Sequence, residues 1–155
     1  MIMKRIYIIA MLIAMTAMSA SAQAVKFFEK YEDAEDVTSV YVSKAILKMM
    51  PDINTGDMDF SDVAGKIECI RVLTADRAEI AGKLRTDADK VIKEGKYELL
   101  VKVSEGKEKT NIYMKSDKDG MNEYIILNGS PNDFNAILIE GTLTPADVQK
   151  MANKK

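Results

Sequence analysis

The sequence predicts an α+β fold: a mostly antiparallel sheet of five to six strands ending in a four-stranded meander, with helices packed mainly on one face. Three observations predict it. The C-terminal half breaks into short runs of alternating apolar and polar residues, separated by Gly, Asp, Asn and Pro turn signals. Just before those runs lies a long stretch whose apolar residues recur at helical spacing. The 155 residues are 47% hydrophobic and 30% charged, a globular composition of a length suited to one domain.

The N-terminus reads as an export signal. Lys4 and Arg5 form a positive start, Ile6 to Met18 is apolar apart from Tyr7 and Thr16, and Ser19-Ala20-Ser21-Ala22 supplies small residues for cleavage after Ala22. The run is shorter than the roughly 20 residues a membrane span needs, and no Cys follows it for lipid attachment. The expectation is a cleaved signal peptide, 1–22, and a single α+β domain, 23–155, periplasmic or secreted.

The elements follow in order. Val25 to Tyr31 reads as a short amphipathic helix with Val25, Phe28 and Tyr31 on one side. Val37 to Val42 is rich in β-branched and aromatic residues, hence a strand. Lys44 to Met50 turns helical until Pro51 stops it. A polar loop, Asp52 to Asp59, and a brief helical piece near Phe60 to Lys66 lead into the strand Ile67 to Leu73. The strongest helix is Arg77 to Glu94: Asp76 and Glu79 resemble a capping box, Ile80, Leu84, Ala88, Val91 and Ile92 form one stripe, and Gly95 is suited to an αL stop. The meander is Tyr97–Ser104, Thr110–Lys115, Met121–Asn128 and Phe134–Gly141, with turns at Gly106, Asp117-Lys118-Asp119-Gly120 and Asn128-Gly129-Ser130-Pro131. Thr144-Pro145-Ala146-Asp147 opens a last helix, with an N-cap, Pro at the first position and an acid at the third.

The segment Val37 to Pro51 (VTSVYVSKAILKMMP) and the closing stretch Asn135 to Thr144 (NAILIEGTLT) resemble the domain-of-unknown-function family 4252, small exported proteins of Gram-negative bacteria. The resemblance spans nearly all of residues 23–155. It implies export and one compact domain, and carries over no catalytic residue.

Composition narrows the chemistry. With no His, the usual zinc, haem and imidazole-based triad chemistries have no residue to build on. One Cys makes neither an intrachain disulfide nor a CxxC pair. Cys69 sits in a strand-like run, so a buried thiol is expected. A formal charge of −2 lacks the basic footprint of a nucleic-acid binder. Asp52, Asn54, Asp57, Asp59 and Asp62 are calcium-type oxygens, but Gly56 falls one position early for an EF-hand and Val63 replaces its clamping Glu. Neither GxGxxG nor a P-loop occurs. No metal, cofactor or catalytic residue is therefore assigned.

Recognition remains. With Leu99, Val101, Ile112, Met114, Ile125 and Leu127 facing the helices, Leu100, Tyr113, Tyr124 and Ile126 would share the opposite face with Lys102, Lys115 and Asn122. That mixed face is the candidate binding surface, since Tyr is favoured at interfaces; cover by the N-terminal helices is the alternative. The expected function is a non-enzymatic envelope domain binding a protein partner or small ligand, with no nucleic acid and no membrane span. A carboxylate-based hydrolase and a self-associating structural protein, such as a homodimer, are the rival readings.

Overall fold

A computed structural model describes residues 20–49, 54–55, 58–59, 63–117 and 119–153. The expected signal segment therefore lies outside the described residues except for its last three. In chain order the elements are α1 (Ala20–Lys30), β1 (Val37–Ser43), α2 (Lys44–Met49), β2 (Asn54–Thr55), β3 (Met58–Asp59) and a 3-10 turn (Ala64–Lys66). They continue with β4 (Ile67–Ala75), α3 (Ala78–Glu94), β5 (Glu98–Glu105), β6 (Glu108–Ser116), β7 (Asn122–Ser130), β8 (Asp133–Gly141) and α4 (Pro145–Asn153). Six strands make one sheet in the order β1-β4-β8-β7-β6-β5, and every neighbouring pair is antiparallel. The fold is α+β, and β5 to β8 are the expected meander.

β4 and β8 sit inside the sheet, and their residues are apolar on both sides because both sides are covered. Above one face, Phe27 and Phe28 of α1, Tyr31 just after it, and Ala81, Leu84 and Ala88 of α3 close over Leu73, Ile125, Leu127, Phe134 and Leu138. Below the other, Leu47 of α2, Val148 of α4 and Leu143 just before α4 pack on Ile67, Ile70, Tyr124, Ile126 and Ile139. The two longest described helices share one face, as expected, and the shorter ones occupy the second. α1 is held on α3 through Asp87, which accepts from Lys30 Nζ at 2.8 Å and Tyr31 Oη at 2.5 Å. Those two donors keep the Asp87 carboxyl below its ordinary pKa, Lys30 contributing most.

The helix ends depart in detail from the expected caps. The N-cap position of α3 is Arg77, which offers no side-chain cap; its guanidinium pairs instead with Asp36. At the other end Gly95 stays right-handed at φ −76°, and Lys96 takes the left-handed position at φ 55°. Lys96 N–H then donates to Lys93 O and Tyr97 N–H to Ile92 O, a Schellman closure displaced by one residue. Gly95 is required for another reason: a Cβ there would lie 2.5 Å from Cε2 of the Tyr97 ring.

α4 does carry the expected cap. Thr144 N–H donates to Asp147 Oδ2 at 2.9 Å, and Asp147 N–H donates to Thr144 Oγ1 at 3.3 Å. Lys66 Nζ adds a bond of 2.9 Å to the same carboxylate and ties α4 to the 3-10 turn. The Thr144 backbone N–H, followed by Lys66, lowers the Asp147 pKa to about 2. A carboxylate depressed by folding stabilises above its unfolded pKa of about 4 and loses that contribution as pH falls towards about 2. Asp147→Asn should therefore melt below the parent chain at neutral pH, with the difference closing across that window. Thermal denaturation from pH 7 to pH 2 checks this, and a constant difference would contradict the cap.

Candidate recognition surface

Cover on the second face ends before the sheet does. β5 is an edge strand, and all eight of its residues are exposed. Leu99, Leu100, Val101 and Val103 show between 37% and 48% of their surface to solvent. A bulge explains this run. Leu99 pairs with Tyr113 and Val101 with Ile112, so Leu100 is the extra residue and the strand changes face across it. Beyond the bulge Val101 and Val103 point to the second face, beside the half-buried Ile112 and Met114 of β6. Together they extend the second core outward into an uncovered apolar margin.

The four residues expected to form one binding surface are not brought together. Tyr113 pairs with Ile125 and packs with the first core, on the α1 and α3 side. Tyr124 is on the second face but wholly buried, its hydroxyl donating to Leu143 O at 2.8 Å. Ile126 beside it is 6% exposed. Leu100 alone is open, at the bulge.

The physical cause is one residue in a turn. A four-residue Asp117–Gly120 connection would set Ile112 opposite Ile125. Met121 also belongs to the connection, because Asp117 N–H donates to Met121 O at 2.8 Å and the strands pair from Ser116 and Asn122. A shift of one residue moves every β6 side chain to the other face relative to β7. Ile112 and Met114 are accordingly on the second face, while Ile125 and Leu127 are on the first. Leu99-Leu100-Val101, three apolar residues in succession within an alternating strand, was the available sign of the bulge.

A second feature was not anticipated. On the first face, at the end of the sheet next to Gly95, paired residues form a polar row: Ser43, Cys69, Glu140, Glu123 and Lys115, from β1 to β6. Tyr97 completes it by donating to Glu123 Oε2 at 2.7 Å. Cys69 Sγ donates to Glu140 Oε2 at 2.7 Å, and Lys115 Nζ donates to Gly95 O at 2.7 Å. Burial raises the Glu123 pKa, and the neighbouring Glu140 charge raises it further. Burial followed by the Glu140 bond pushes the Cys69 thiol up to about 12. The expected buried thiol is what the structure contains.

In this row the Cys69 thiol keeps its proton and donates a hydrogen bond to Glu140. Glu123 and Glu140 are opposed acids, yet neither lines the clefts beside Arg85, Asp87 or Val91. Among the described residues, no group of three or more His, Cys, Asp or Glu is placed to hold a metal ion. The acidic loop Asp52–Asp62, apart from the short β2 and β3, lies outside the described residues. No described helix is long and apolar enough to cross a membrane.

Two outcomes follow from the row. Cys69 should resist DTNB at pH 8 and react only as fast as the chain unfolds; labelling at the rate of a free thiol would refute its protonated, buried state. Its raised pKa stabilises in full below about pH 9 and fades as pH climbs towards about 12. Tyr97→Phe, which strands a buried carboxyl group, should cost about 1–3 kcal/mol in urea unfolding at pH 7. Glu123→Gln should cost less, because the amide oxygen keeps an acceptor for Tyr97 Oη.

Comparison with known proteins agrees with the two segments singled out in the sequence. No curated protein and no solved structure matches the chain. One family model, described as a domain of unknown function (DUF4252), matches residues 31–151. That span runs from the end of α1 through the whole sheet and most of α4. The chain is therefore a member of the DUF4252 family.

Proposed function

We propose that this chain is an exported recognition domain, without catalytic chemistry, that takes an extended segment of a partner protein along β5. The observation that carries the reading is the eight-residue edge strand, exposed throughout and bearing four large apolar side chains. Proteins ordinarily blunt such edges. A segment added beside β5 would pair its main chain with the free edge and set alternate side chains beside Val101 and Val103. The opposite edge suits this less. β1 carries Thr38, Ser39 and Ser43, and its Tyr41 ring lies 4.7 Å from the Arg71 guanidinium.

Export rests on the sequence pattern of Lys4, Arg5, the apolar run to Met18 and the small residues through Ala22. The absence of His and the buried position of Glu123 support recognition over hydrolysis. A photoreactive amino acid at position 101 or 103, activated in intact cells, should give an adduct that maps to an extended segment of another protein. The same probe at Glu79, exposed on α3, should give none. Adducts at all three positions alike would remove the proposal, and adducts only between copies of this chain would replace it with self-association.

A further inference from the structure

We propose that a separate cleft on the first face binds a small carboxylate carrying hydroxyl or amine donors. It holds about 400 Å³, between Arg85 and Asp89 of α3 and the β5–β6 turn, within the range of small-molecule sites. A glycine creates the space. Lys109, Gly129 and Phe134 are successive partners across β6, β7 and β8, so the middle of that row has no side chain. A Cβ at Gly129 would collide with Asp133 O and Phe134 Cα, and so the gap is enforced by the backbone.

The lining has a division of labour. Arg85 is committed to the wall: its Nη2 donates to Ser130 O at 2.5 Å, and its guanidinium lies 5.2 Å from the centre of the Phe134 ring. Lys107 and Lys109 line the same cleft and form no ion pair with the described residues. In a chain of net charge −2, three cations against the single Asp89 make a local positive excess. That excess attracts an anion.

An acceptor stands opposite in the Asp89 carboxylate. A simple anion would satisfy Lys107 and Lys109 alone. A carboxylate with donors on its body would also serve Asp89, with Leu127 beneath it.

This inference is independent of the β5 proposal, because Val101 and Val103 face the other side of the sheet. Calorimetry and amide-shift mapping would use gluconate and glutamate as probes. Octanoate supplies an anion without donors, and glucose supplies donors without charge. Gluconate or glutamate should bind and shift the Lys109, Gly129 and Ser130 amides. Lys107→Gln with Lys109→Gln should weaken that binding at least about tenfold, whereas Val101→Lys with Val103→Lys should leave it unchanged. Equal binding of octanoate or glucose, unchanged binding in the double lysine variant, or no binding of either carboxylate would each overturn the assignment.

Discussion

Two-sided burial of the β4–β8 pair is the constraint from which the rest of the architecture follows. Leu73, Ala136 and Leu138 point one way, and Ile70 and Ile139 the other, all at 4% exposure or less. Neither side can be left to water, since each fully buried Leu or Ile is worth about 1.5–3 kcal/mol. Both layers of helices exist to meet that demand. α1 and α3 close the first face, and α2 with α4 closes the second. The available cover is centred on these strands and runs out at the margins, which is why β5 is bare along its whole length.

Most of the elements were legible because their signals are local. The stripe of α3, the β-branched run of β1 and the Thr144–Asp147 cap each depend on residues within a turn or two of one another. What was not legible was the facing of the meander. Facing depends on counting residues through turns, and two places break the count: Met121 joining the β6–β7 connection and Leu100 bulging from β5. The first inverts the outer hairpin relative to β7, and the second reverses facing within β5. Together they dispersed Leu100, Tyr113, Tyr124 and Ile126 over both faces and the interior, and hid the margin formed by Val101 and Val103.

The polar row from Ser43 to Lys115 shows the same limit from another direction. Its members are scattered over the sequence from β1 to β6, and their only common property is their register. No spacing rule could have joined Cys69 to Glu140, 71 residues apart. Once joined, each compensates the other: a thiol too buried to ionise donates to a carboxylate that needs a donor. The row therefore gives the first face a hydrogen-bonded end where apolar packing stops, and it draws on side chains that chemistry alone would have marked as reactive.

The connection at Met121 has an evolutionary corollary. Because strand facing alternates residue by residue, loss or gain of a single codon in that connection could invert the outer hairpin without touching the helices. The valines would then swap places with Lys102 and Lys109, exchanging a greasy rim for a charged one. Descendants of this fold could thus change the chemistry of one margin in a single mutational step, on an unaltered scaffold.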